Sequence, residues 1–314
     1  MQTSCARGRL SLVLAASASF ALACTASADK SPAPADRHLP APAKPPLAPG
    51  KSPGASKGND SPDARGRAVL TAQLAALSND DAFIATFAKQ ASVLTPRGGK
   101  EVHAPNANVA AAVSFLNPHA EIKSATFDHF TSGGNAQVAW FAAELHLTVA
   151  SHEPGESATT ATHTVRAIEL LDGAADWKVA VAAFTRVAPL YTFQTTSIKD
   201  PTDPGPLTDL LLSPERLAGA LGDGAVVFGT DPGERGIGTA NAKALLGSWK
   251  PRAITLDPKS KVREVRGPTY GYAMTNVSIV MKPGGEAYKL SAFVLALPAA
   301  NGWSVVGASY GALF

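Results

Sequence analysis

The chain has 314 residues, 45% of them hydrophobic and 17% charged, and a formal net charge of +3. Residues 1–28 carry +2 of this charge and residues 29–67 another +3, which leaves the remainder at −2. A nucleic-acid binder needs a basic face on its folded part, so that class of partner is excluded. Both cysteines, Cys5 and Cys24, fall within the first 28 residues. Everything beyond them therefore lacks a disulfide, a cysteine nucleophile or a zinc–thiolate site.

Residues 1–28 read as an export signal. Arg7 and Arg9 form a positive start, and the 14 residues from Leu10 to Ala23 are apolar or small. That run is too short to span a bilayer, which takes about 20 apolar residues. Two processing sites fit. Cleavage after Ala28, at Ala26-Ser27-Ala28, releases a soluble secreted or periplasmic protein. Ala21-Leu22-Ala23-Cys24 instead resembles a bacterial lipoprotein signal, with Cys24 as the lipidated residue. Residues 29–67 hold nine prolines and no aromatic residue. They bury too little apolar surface to offset chain entropy and are expected to form an extended, disordered tether. A tether behind an acylated cysteine places a domain in the cell envelope, touching the membrane only through its anchor.

Two compact units follow, 68–188 and 206–314, joined by a linker over 189–205 with Pro201 and Pro204 toward its end and Pro206 just beyond it. In the first unit a helix is expected over Arg67–Leu77. Ser78 is expected to cap a second, with Asp80 and Asp81 in its first turn and Phe83, Ile84 and Phe87 on its apolar face. A strand over Ala91–Thr95 and a helix near Ala107–Leu116 come next. Four strands of alternating pattern close the unit: Glu121–Phe130, Gln137–Val149, His163–Leu171 and Trp177–Phe184. Ser132–Asn135 and Asp172–Asp176 are the expected turns. The second unit repeats the order. Ser213 is its cap and Pro214 its first helical residue, followed by strand Ala225–Gly229 and helix Ala240–Trp249. Strands Val262–Arg266, Tyr272–Met281, Tyr288–Leu297 and Trp303–Tyr310 complete it. The connections between these closing strands are too short for crossovers, so they must be antiparallel. The fold class is α+β, helices first and a curved antiparallel sheet after.

The repetition can be followed as a running offset. Ser78, Thr95, Gly98, Asn106 and Ala107 recur 135 residues later, Trp140 matches Tyr272 at 132, and Trp177 matches Trp303 at 126. The last drop falls in a hairpin tip, the kind of place that tolerates a change of length.

The segment Ala225–Glu234, followed by Gly238 and a helix, resembles the SnoaL-like proteins of the NTF2-like (nuclear transport factor 2-like) superfamily. The closing strands that start Gly302-Trp303-Ser304-Val305 and Asp176-Trp177-Lys178-Val179 resemble the last strand of that fold. The resemblance covers nearly all of 69–314 as two tandem copies. It implies two cones, each a bent sheet wrapped around helices with a pocket at the open end. It also implies either acid–base catalysis on a small apolar substrate, as in isomerases, cyclases and dehydratases, or ligand binding and pairing without a reaction.

Candidate chemistry gathers in the first unit, which holds every histidine after residue 67. On Gln137–Val149, Glu144 and His146 share the Trp140 face, because side chains two apart on a strand point the same way. Asp128, His129 and His163 lie on neighbouring strands. Asp128, His129, Glu144 and His146 are the candidate acid–base set, since a carboxylate beside a histidine orients a general base. A polar face on an antiparallel sheet more often meets water or a partner. Trp140, His163, Tyr270, Tyr272 and Tyr288 are the candidate pocket residues. No histidine pair has helical metal-ligand spacing and no cofactor motif is present, so neither a metal nor a cofactor is expected. The reading favoured is a non-catalytic envelope module. It takes a small apolar ligand, an envelope protein, or its own second unit as an intramolecular pseudo-dimer.

Overall fold

The computed structural model describes residues 61–96, 101–103, 120–151, 157, 159–188, 198, 200–249 and 252–312. The signal, Cys24, nearly all of the tether, the helix expected near Ala107–Leu116 and most of the linker lie outside the described residues. All described residues belong to one compact unit.

Helix α1 (Pro62–Ala75) begins where Ser61 accepts from the Ala64 N–H at 3.1 Å, with Pro62 at the first position and Asp63 in the first turn. It thus starts five residues before the expected Arg67. Helix α2 (Asp80–Ile84) is capped by Asn79, whose Oδ1 accepts from the Ala82 N–H at 3.1 Å, and not by Ser78. Strands β1 (Phe87–Leu94), β2 (Glu101–His103), β3 (Ala120–Gly134), β4 (Val138–Ser151), β5 (Thr159–Asp172) and β6 (Lys178–Arg186) form a six-stranded sheet in the order β2-β1-β6-β5-β4-β3. The closing strands β3 to β6 are antiparallel, as their short connections require, whereas β1 runs parallel to β6.

The second half opens with α3 (Pro206–Leu211) and α4 (Pro214–Ala220). Ser213 caps α4 as expected, accepting from the Arg216 N–H at 3.3 Å. Strands β7 (Leu221–Phe228) and β8 (Arg235–Ile237), helix α5 (Thr239–Ser248), and strands β9 (Ala253–Leu256), β10 (Arg263–Arg266), β11 (Gly271–Val280), β12 (Ala287–Ala299) and β13 (Gly302–Ala312) follow. Their sheet has the order β10-β11-β12-β13-β7-β8, with β9 also on β11. The two orders coincide strand for strand once β9 and β10 are taken together as the counterpart of β3. Both pair along β11, β9 with Val277–Val280 and β10 with Gly271–Met274.

Strand registers refine the offsets. Leu94 pairs with Ala183 and Phe228 with Ser309, which sets β1 and β7 at an offset of 134. That value also superposes the two caps, Asn79 on Ser213, which the identity-based 135 misplaces by one. Glu144 lies opposite Arg166 and Asn276 opposite Ser291, so β4 and β11 keep 132 while β5 and β12 run at 125.

One expected turn lies elsewhere. Ser132, Gly133 and Gly134 continue β3, and the chain reverses at Asn135, whose Oδ1 accepts from the N–H groups of Gln137 and Val138 at 2.8 and 3.0 Å. Gly133 is in the strand because the Trp140 indole covers it; a Cβ there would stand 2.8 Å from the ring.

Candidate functional site

Strand β4 is buried on both faces from Val138 to Leu145. Its Ala139, Phe141, Ala143 and Leu145 face α1 and the first core. Its Val138, Trp140 and Ala142 belong to a separate core that joins the two sheets, together with Ile168, Leu170, Val226, Phe228, Tyr272, Met274 and Phe293. The face expected to be polar and solvated is therefore largely covered by the second half. Two glycines let the sheets close. A Cβ on Gly307 would lie 2.8 Å from Ile168 Cγ2, and one on Gly311 would lie 2.7 Å from Thr185 Cβ.

At one end of this seam stands a buried ion cluster. Arg166 Nε donates to Glu144 Oε1 at 2.7 Å, and Arg235 of the second half donates to Glu144 Oε2 at 2.8 Å. Arg166 also donates across the seam to the carbonyls of Gly229, Asp231 and Pro232. Burial holds the Arg166 pKa below its usual range, and the Glu144 carboxylate opposes that shift. A buried guanidinium is tolerable only because its donors are matched by a carboxylate and three carbonyls.

The other acid–base candidates form the rim of this cluster. His146 Nε2 lies 3.1 Å from Asp128 Oδ1, and His129 Nε2 lies 3.7 Å from Asp128 and 3.8 Å from Glu144. A bulge between Asp128 and Thr131, with His129 at φ 47°, re-aims these side chains. The structure thus does bring Asp128, His129, Glu144 and His146 together. Asp128, His129 and Glu144 offer ligand atoms within 4.8 Å of one another, but both Glu144 oxygens are taken by guanidinium groups, whose charge opposes a cation there.

The candidate pocket residues are dispersed. Trp140 and Tyr272 are buried in the seam, and the Tyr272 hydroxyl donates to Ser92 Oγ at 3.0 Å. Tyr270 is half-buried at the edge of the seam. Burial, and then the nearby Asp172 carboxylate, raise its pKa. His163 accepts from Arg186 at 3.3 Å, and burial followed by the Arg186 charge lowers its pKa. Tyr288 packs on the core of the second half.

Two narrow cavities lie inside the halves, and none of these nine residues lines either. Each has room for about one water molecule. The first lies under α1 and α2, walled by Leu70, Gln73, Leu74, Leu77, Phe83, Leu145, Leu147, Val165 and Phe184. Next to it is a group that the sequence reading passed over. Glu169 is fully buried, and its Oε2 accepts from Gln73 Nε2 at 3.0 Å. Its Oε1 has no hydrogen-bond partner among the described residues. Burial pushes its pKa up to about 8, and the Gln73 bond offsets only part of that. The signal was legible: Glu169 is the one charged residue in the alternation Val165, Ala167, Glu169, Leu171.

The second cavity is walled by Gly229, Thr230, Glu234, Trp249, Arg252, Ile279, Met281, Leu290 and Tyr310. Glu234 holds its turn by accepting from the N–H groups of Thr230 and Asp231 at 3.0 and 3.3 Å, and it binds Arg252 at 2.6 Å and Trp249 Nε1 at 3.1 Å. Burial pushes its pKa up, but Arg252 and the backbone donors outweigh burial and leave it low.

No protein-family model matches the chain, and no characterised protein matches it in sequence. Solved structures of similar shape do. A ketosteroid isomerase-like protein from Erwinia carotovora atroseptica aligns at 16% identity and a TM-score of 0.34, over 41% of this chain and 99% of its own. A putative Ca/calmodulin-dependent kinase II association domain from Exiguobacterium sibiricum aligns at 15% and 0.33, over 45% and 99%. An NTF2-like protein with a cystatin-like fold from Novosphingobium aromaticivorans aligns at 14% and 0.27, over 32% and 69%. At such values the likeness says nothing of chemistry. Among the described residues, no helix is long and apolar enough to cross a membrane.

Proposed function

We propose that this is an exported, lipid-anchored envelope protein built of two tandem NTF2-like units, paired with each other as an intramolecular pseudo-dimer. It acts by binding and not by catalysis. The observation that carries this reading is the shared apolar core between the two sheets, closed by Arg166 reaching from one half into the carbonyls of the other. With the sheet faces turned on each other, a small apolar ligand would enter the interior of the first half, where the side chains beneath α1 must spread apart to widen a cavity with room for about one water molecule. Cys24 holds the anchor and residues 29–67 the tether.

The rival is acid–base catalysis by Asp128, His129, Glu144 and His146. It has less support, because both Glu144 oxygens are held by arginines and the set lines neither of the two cavities described. Native mass spectrometry of the protein recovered from the cell envelope tests the proposal. The expected species is one chain, acylated at Cys24, carrying a non-covalent small molecule. A mature chain starting at Asp29 rejects the anchor, and recovery without any bound molecule rejects the binding role.

A further inference from the structure

The edge of the second sheet is interrupted where that of the first is not. Six residues, 257–262, separate β9 from β10 and stand opposite only Thr275 and Asn276 of β11. At the matching place in the first half, two residues of the unbroken β3, His129 and Phe130, stand opposite Ala143. The extra chain is held firmly. Ser260 Oγ accepts from the backbone N–H and from Nδ2 of Asn276, both at 3.1 Å, and Thr275 Oγ1 donates to the Lys261 carbonyl at 3.0 Å. Thr275 and Asn276 are themselves fully buried, so the loop is fixed from beneath. Residues 201–204 run beside it. The Thr202 N–H donates to the Val262 carbonyl at 2.8 Å, and Thr202 Oγ1 accepts from the Glu264 N–H at 2.9 Å.

Between these two walls lies an open cleft of about 470 Å³, a volume within the range of small-ligand sites, roughly 300–1,000 Å³. Pro201 and Pro204 on one wall and Leu256 and Val262 on the other give it apolar surface. Asp203 and Lys261 line it from opposite walls and are both exposed. Neither side chain has a hydrogen-bond or ion-pair partner among the described residues. Two opposite charges that face one cleft without pairing fit a molecule that carries both. Walls fixed in advance lose little freedom when such a molecule binds.

We infer that this cleft binds a small apolar peptide with free ends, of about dipeptide size, whose carboxylate pairs with Lys261 and whose ammonium pairs with Asp203. Its apolar side chains rest on the prolines, Leu256 and Val262, and the two charges set its direction. The site belongs to the second half and stands independently of the ligand place proposed in the first.

Amide NMR titration of the purified full-length mature protein with leucyl-leucine tests this. Shifts are expected at the N–H groups of Thr202, Ser260, Lys261 and Val262. Leucyl-leucinamide lacks the carboxylate and N-acetyl-leucyl-leucine lacks the ammonium, and each is expected to bind about threefold more weakly, the effect of one exposed ion pair. Lys261→Met should bind leucyl-leucine and its amide equally, and Asp203→Asn should do the same for leucyl-leucine and its acetyl form. Lys243→Met, exposed on α5 and outside the cleft, should keep both preferences. Absence of shifts at these N–H groups at millimolar peptide overturns the inference, as does equal affinity of the wild-type protein for all three peptides. A Lys261→Met protein that still prefers the free carboxylate overturns it too.

Discussion

The two halves share a strand order and differ in what they bury. Where the first half places Glu144, Arg166 and Glu169, the second places Asn276, Ser291 and Val294 at the matching registers. The second half makes the same sheet with no charge at those three positions, so these charges answer to something other than the fold. Glu144 and Arg166 answer to the seam, where they meet Arg235 and three carbonyls. Glu169 meets no such partner, only the Gln73 amide.

The largest test of this contrast is at the seam. Arg166→Ala should destabilise the protein by about 3–5 kcal/mol in urea unfolding, because it takes one of two guanidinium partners from the buried Glu144 and the donor from three seam carbonyls. Ser291→Ala, which removes only a 3.3 Å bond to Gly311, should lose about 1 kcal/mol. Equal losses would end the idea that the first half carries the seam chemistry.

Next comes pH. The native Glu169 holds its proton up to about 8, while the unfolded chain releases it near the ordinary glutamate value of about 4.3. The folded form thus carries the extra proton in between. Stability is fully present below that window and falls as pH rises through it, by about 1.4 kcal/mol per unit. Urea midpoints measured across the window should lose this slope in Glu169→Leu, and Val294→Leu should leave it intact.

Gly307→Val is expected to cost about 1–3 kcal/mol by pushing the sheets apart at Ile168. The same change at Gly219, which meets no atom within 4 Å, should act only through helix propensity, about 0.5 kcal/mol or less. Thermal melts would separate them. Smallest are the caps. Asn79→Ala and Ser213→Ala should each lose about 1 kcal/mol, and Ser78→Ala close to nothing. A loss at Ser78 equal to that at Asn79 would restore the offset of 135 against the strand registers.

Much of the fold was legible because it is local. Alternation placed β4, β5, β11 and β12 within two residues at most ends, and Ser213 with Pro214 marked the start of α4. The misses had non-local causes. Gly133 looked like a turn residue until the Trp140 ring is seen lying over it, and β3 and the split pair β9 and β10 are set by pairing to a neighbouring strand. At the site, the sequence grouped Asp128, His129, Glu144 and His146 correctly, since neighbouring strands and period-two alternation are short-range facts. It did not pick out Arg166 or Arg235 as their partners, because those bonds join residues 22 and 91 positions from Glu144.

The sequence by itself determined the order of elements, the doubling of that order and the side of each strand that faces its own helices. These follow from periodicity and turn chemistry along short stretches of chain. Only the tertiary structure decided what covers the other side. An apolar face flanked by Glu144 and His146 reads the same whether it meets water, a partner or a pocket, and its environment was set by a second sheet more than a hundred residues away. The same holds for Glu169: its place on the strand was plain, but whether a cation or an amide stood beside it depended on where α1 came to rest.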